Sequence, residues 1–255
     1  MHILLEKTRE INRLLQNSDN ISFTSMAEVL KEVLKANVYI VSRDGRLLGH
    51  DLMDNFECKI MIDKVINEKL FPKGYMKFVN GNTETYANKK LTKQMCAFSE
   101  GTKCMFNNKL TTIVPILGNG NRLGTLILAR FDKDFDDGDL LLSEYAATVL
   151  GVQILHNKTI EIEEDARKRI MVQVAFSNLS YSELEAITAI LNALDGNEGL
   201  LIASKIADEA GITRSVIVNA LRKFESAGVL RTQSLGMKGT HVKILNEFVR
   251  EGLKK

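Results

Sequence analysis

The chain has 255 residues, 45% of them hydrophobic and 26% charged, which is enough for two domains with separate cores. Its net charge of +2 rules out a polycation that coats nucleic acid along its whole length, and no apolar run approaches the roughly 20 residues that cross a bilayer. Three cysteines, Cys58, Cys96 and Cys104, without Cys-x-x-Cys spacing, and four scattered histidines, His2, His50, His156 and His241, point to neither a disulfide framework nor a metal site.

At the start, Met1 to Lys7 runs into charge rather than a signal-peptide core, so a cytoplasmic protein is expected. Leu4, Leu5, Thr8, Ile11, Leu14 and Leu15 make an amphipathic helical stripe, and a second helix is expected over 26–34. Apolar runs at 37–42 and 47–49 flank Arg43-Asp44-Gly45-Arg46, whose Asp-Gly pair predicts a hairpin turn. After a long loop over 71–109, β-rich runs at 110–117 and 122–131 surround Gly118-Asn119-Gly120-Asn121 and predict a second hairpin. That glycine-rich turn is no phosphate loop, because a phosphate loop needs a helix after it and strand-like residues follow here. Neither a Walker motif nor a Gly-x-Ser-x-Gly elbow occurs, and Ser99 and His156 fit no triad, so no catalytic residue is assigned. Residues 1–137 therefore have the outline of a GAF- or PAS-type sensor, an antiparallel sheet with flanking helices.

From Asp139 the pattern turns helical and continues to Val174, with Asp136, Asp137 and Asp139 at its positive end. A rigid connecting helix is expected over 138–177, with the acidic run 161–165 in solvent. Ser180 and Glu183 have capping-box spacing and open a DNA-binding domain over 178–255. Within it, a short helix over 203–209 would bury Ile202, Ile206 and Ala207, and Gly211 gives the turn. Thr213 would cap the second helix by accepting from backbone amides. Ile217, Leu221 and Phe224 recur at helical spacing and face inward, turning Arg214, Ser215, Val218, Asn219 and Arg222 outward as candidate readers of a major groove. Strands at 229–233 and 241–245 would form a wing with Lys238 at its tip, and Ser204 and Lys205 lie on the supporting helix. Between Thr213 and Lys243 six cations oppose one acid, a net +5, which leaves −3 for the rest of the chain. The fold class is thus α+β, a GAF-type sheet domain, a linker helix and a winged helix-turn-helix.

The stretches Asp195-Gly196-Asn197-Glu198-Gly199-Leu200-Leu201, Ala203-Ser204-Lys205-Ile206-Ala207-Asp208, Gly211-Ile212-Thr213-Arg214-Ser215-Val216-Ile217 and Ser234-Leu235-Gly236-Met237-Lys238-Gly239-Thr240 resemble the CodY family, nutrient-sensing global regulators of low-GC Gram-positive bacteria. Thr111-Thr112-Ile113-Val114-Pro115-Ile116 and Arg122-Leu123-Gly124-Thr125-Leu126 carry the resemblance into the first half. It implies a homodimer or higher homo-oligomer that represses genes from inverted-repeat operators in double-stranded DNA. It also implies effectors rather than a resident cofactor: isoleucine, leucine or valine, with GTP second.

Carried over by position, the amino-acid site comprises Met61, Ile62, Val65, Phe71, Pro72, Tyr75, Cys96 and Phe98. The family's usual carboxylate-clamping arginine near Met61 has no counterpart between Arg46 and Arg122, so Lys59, Lys64 or backbone amides around Phe98 would replace it. The implied nucleotide contacts are Ser42, Arg43, Arg46, Gln153 and Lys158. Asp44 stands where a second arginine is common and Gln153 where an acid would accept from guanine, which predicts reduced GTP sensing. The competing class is a GAF-fold redox or small-molecule enzyme with an accessory DNA-binding domain, working through Cys58, Cys96 and Cys104.

Overall fold

The structure, a computed structural model, describes residues 2–16, 22–54, 56, 58–90, 96–99, 101–106 and 108–253. It divides into two compact units, residues 1–157 and 158–255.

The first unit opens with helices α1 (His2–Gln16) and α2 (Phe23–Leu34) and is built on a five-stranded antiparallel sheet of order β2-β1-β5-β4-β3. Its strands are β1 (Asn37–Ser42), β2 (Leu47–Asp51), β3 (Tyr86–Lys90), β4 (Leu110–Gly118) and β5 (Asn121–Arg130). Side chains alternate across a strand, so β1, β4 and β5 feed two different cores. Val38, Ile40, Val114, Ile116, Leu126 and Leu128 pack under α1, α2 and the start of α5 (Asp137–Ser177). Their alternates, Tyr39, Val41, Ile113 and Ile127, face the opposite side and meet Met61, Val65, Phe71, Met76 and Val79. Register holds this second set together, since Tyr39 and Ile113 both lie opposite Ile127, and Thr111 lies opposite Ala129. Both hairpins form as expected from the sequence, and Asn119 and Gly120 take positive φ in the second turn.

Two expectations need correction. The stretch 71–109 is not a plain loop, because it contains α4 (Lys73–Asn80) and β3. A short turn of helix, α3 (Lys59–Met61), continued by a π turn at Ile62–Ile66, precedes it. Pro72 at the N-cap and the burial of Met76 and Val79 one turn apart account for α4. Strand β3, Tyr-Ala-Asn-Lys-Lys, is a polar edge without alternation, held where Asn88 bonds the backbone of Phe135 in both directions. Leu5 of the α1 stripe is 47% exposed while Ile11 is buried; Leu14 and Leu15 of that stripe lie outside the described side chains.

In the second unit the capping box at Ser180 and Glu183 forms as expected and opens α6 (Tyr181–Ala193). Helices α7 (Ala203–Ala210) and α8 (Arg214–Ser226) follow, with Gly211 between them at φ +68, a left-handed value suited to glycine. Ile206, Ala207, Ile217, Ala220, Leu221 and Phe224 enter the core with Val172 and Ala175 of α5. Two further corrections arise here. Ile202 is half exposed, because it precedes α7 in extended conformation, at the level where the wing's Gly239 approaches. Thr213 occupies the N-cap without capping, its hydroxyl being bonded to that of Ser215 at 2.8 Å.

The wing sheet has three strands, β6-β8-β7, formed by β6 (Glu198–Leu201), β7 (Leu230–Ser234) and β8 (Thr240–Ile244). A short helix α9 (Val249–Gly252) closes the fold. Strand β6 went unforeseen because four residues with a glycine among them give no periodicity.

Candidate functional site

The side of the sheet bearing Tyr39, Ile127, Ala129 and Thr111 is roofed by Phe56, Met61, Phe71, Tyr75 and Phe98, and Lys109 completes the lining. The enclosed cavity is about 20 Å³, room for one water. Its walls are aromatic and interlocked. Phe71 stacks on Tyr75 at 5.7 Å, and Phe98 meets both rings edge-on at 5.9 and 5.2 Å. Burial pushes the phenols of Tyr39 and Tyr75 well up, so both stay protonated. A groove of about 340 Å³ adjoins, lined by Gly74, Tyr75, Phe78, Lys89, Ala97, Lys109, Thr111 and Ile113, so Tyr75, Lys109 and Thr111 border both spaces.

Of the positions assigned to an amino acid, Met61, Phe71, Tyr75 and Phe98 line the cavity. Val65 is fully buried in the core behind them. Ile62, Pro72 and Cys96 are half-buried and do not line it, Cys96 donating its backbone amide to Thr102. Lys59 and Lys64 are exposed and lie outside the lining. The sequence reading missed Lys109. Its signal was parity: Lys109, Thr111 and Ile113 are spaced by two and share a face.

The positions assigned to a nucleotide do not form one cluster of free donors. Ser42 is buried and its hydroxyl donates to Asp44 Oδ1 at 2.5 Å, while Arg46 Nε donates to Asp44 Oδ2 at 2.9 Å. Hydrogen bonding from Ser42, more than the Arg46 charge, holds the Asp44 carboxyl below its usual range. Arg43 is exposed; Gln153 is buried on α5 and bonded to Asn157 at 2.9 Å; exposed Lys158 belongs to the second unit.

On α8, Arg214, Ser215, Asn219 and Arg222 are exposed on the side away from Ile217, Leu221 and Phe224, and Val218 is half-buried. On α7, Ser204 and Lys205 are exposed, with Lys205 3.9 Å from Glu209. Lys238 is exposed on a single 3-10 turn at the wing tip. Glu225 ties the wing to α8 by accepting from the backbone amide and the hydroxyl of Thr232, both at 2.8 Å. Two of the six cations counted in this stretch are committed elsewhere: Lys223 to Glu183 at 2.7 Å and Lys243 to Glu198 at 3.2 Å.

A second groove, about 490 Å³, lies beside α5, α6 and α9 and is lined by Val172, Phe176, Leu184, Phe248 and Leu253 among others. Its charged residues, Arg169 and Glu251, already pair with each other.

A family model for the CodY GAF-like domain matches residues 3–178, and one for the CodY helix-turn-helix domain matches residues 197–255. The chain belongs to the CodY family. It is 57% identical over 257 residues to the global transcriptional regulator CodY of Clostridium acetobutylicum and 56% identical over 260 residues to that of Clostridium tetani. Each match covers 100% of this chain and 99% of the relative. Among solved structures it is similar to the cofactor-binding GAF domain of the nutrient sensor CodY from Clostridium difficile, with 41% identity and a TM-score of 0.45, covering 59% of this chain and 97% of that one. Family membership makes the chain a global transcriptional regulator with a GAF-like and a helix-turn-helix domain, on a mixed α and β fold. Among the described residues no helix is long and apolar enough to cross a membrane.

Proposed function

We propose that this chain is an effector-controlled repressor that acts from the cytoplasm without catalysing a reaction. A branched-chain amino acid, isoleucine, leucine or valine, binds in the aromatic cavity and raises affinity for inverted-repeat operators in double-stranded DNA. One observation carries the reading: an apolar cavity whose one lining cation among the described residues is Lys109 shares a chain with a helix-turn-helix that presents Arg214, Ser215, Asn219 and Arg222 to solvent. Branched alkyl groups suit such walls because their desolvation contributes about 0.8 kcal/mol per buried methylene. At about 20 Å³ the cavity must widen to admit them, so occupancy selects conformations in which the Phe71, Tyr75 and Phe98 rings have moved apart. Two recognition helices, one from each protomer of a dimer, would then meet successive half-sites about one helical turn apart.

GTP is the weaker effector in this reading. At the Ser42–Arg46 turn its phosphates would have to displace Asp44 from both Ser42 and Arg46. The test is operator binding with and without isoleucine, followed by fluorescence anisotropy at fixed salt. Phe71→Ala is expected to abolish the isoleucine response and leave basal DNA binding intact, because the two sites belong to different units. A variant that responds normally would show that the pocket lies elsewhere.

A further inference from the structure

We propose that Lys109 is the anchor for the ligand's carboxylate, an assignment that rests on the effector reading above. Lys109 stands just before β4, and its side chain borders both the closed cavity and the groove beside it. The ammonium lies 5.5 Å from the centre of the Phe98 ring, within reach of a cation–π contact. Among the described residues it has no carboxylate partner, and the ionisable neighbours acting on it are the thiols of Cys104, Cys96 and Cys58. Burial pushes its pKa down, as expected of an ammonium taken from water without a counter-ion.

Such a group is costly in the empty protein and becomes satisfied when an anion arrives. The walls decide which anion. Phe71, Tyr75, Phe98, Met61 and Ile127 would leave sugar hydroxyls or phosphate oxygens unpaired, whereas they match an aliphatic chain. Among the described residues Lys109 is the one cation lining the cavity and fits one carboxylate, which favours a branched aliphatic monocarboxylate over a dicarboxylate. The other cation on the groove, Lys89, lies 4.0 Å from the Phe78 ring and 4.8 Å from the Tyr86 ring, and does not line the closed cavity. The chain thus keeps a carboxylate clamp while moving it from the region of Met61 to the start of strand β4. A lysine there offers a point charge in place of an arginine fork.

The experiment is calorimetric titration of the full chain with L-isoleucine and with L-isoleucinol, which replaces the carboxylate by a hydroxymethyl group. Wild-type protein is expected to bind isoleucine at least about tenfold more tightly than isoleucinol, the range for a charge-assisted hydrogen bond. K109M should bind the two alike, at the isoleucinol level, and K109R should recover part of the preference. Equal binding of both ligands by the wild type overturns the anchor without any variant. Retention of the preference in K109M, or in K109Q should K109M fail to fold, overturns it as well. Wild-type protein that binds none of isoleucine, leucine and valine overturns the effector reading itself, whereas binding with an unchanged preference in the variants removes only Lys109.

Discussion

Arg214, Arg222, Arg231 and Lys238 have no ion pair among the described residues, whereas Lys223 and Lys243 are each paired with a glutamate. Charge counting along the sequence therefore overstates the phosphate-facing cations by two, because a count cannot see that Glu183, forty residues earlier, folds against Lys223. Arg214→Ala is expected to weaken operator binding by about 1–3 kcal/mol with no loss of stability, measured by anisotropy at fixed salt. Lys238→Ala should weaken all sequences alike and lower the slope of log affinity against log salt by about one unit. Glu183 has the opposite role. The Lys223 hydrogen bond, reinforced by the backbone of Ser180, holds its carboxyl below the ordinary range. A folded pKa below the unfolded one means that the stabilisation is complete above the unfolded value and is lost as pH falls through the folded one. Urea midpoints of the wild type should therefore decline on acidification more steeply than those of Glu183→Gln, which should already be lower at pH 7.

Elements were legible in the sequence where a pattern ran over enough residues. The two hairpins show apolar runs around turn residues, and α2, the two ends of the long helix and the recognition helix show helical spacing. Strands β3 and β6 do not, since each is short and polar or glycine-bearing, and each exists through its partner strand and fixed loops. The candidate site was half legible for a related reason. Phe71, Tyr75 and Phe98 came from resemblance, whereas Lys109 depends on knowing that the odd-numbered side chains of β4 share one face with Tyr39 and Ile127. Contacts between backbones are invisible to pattern altogether. A Cβ at Gly151 in α5 would sit 2.6 Å from the carbonyl oxygen of Leu117 in β4, so the helix lies directly on the strand there. Alanine in place of glycine usually strengthens an exposed helix by about 1 kcal/mol. At Gly151 the sign should reverse, with a loss of about 1–3 kcal/mol by chemical denaturation, because the helix must move off the sheet.

The first unit has a core on each face of its sheet and the second has one of its own, and among the described residues no core residue is shared between the units. Phe224 is fully buried in the second, its ring 5.0 Å from Phe176 and perpendicular to it. Phe224→Ala should cost about 3–5 kcal/mol there and abolish DNA binding, yet leave calorimetric titration with isoleucine unchanged. Helix α5 takes part in both units without being supported throughout. Leu142, Ala146, Leu150 and Ile154 anchor one end, Val172 and Ala175 the other, and no side chain between Ile154 and Val172 is buried. The acidic run from Glu161 falls in this interval, exposed as expected except for half-exposed Asp165. Lys168 is tied back through Glu247 and Asn246. Between Leu155, which packs on the first unit's core, and Lys168 no side chain is buried, over a length at which isolated helices are marginal in water. Hydrogen–deuterium exchange along α5 should accordingly trace a valley of protection, slow around Leu150, fast around Glu163 and slow again at Ala175. This stretch would open and close on its own, well below the free energy that unfolds either unit.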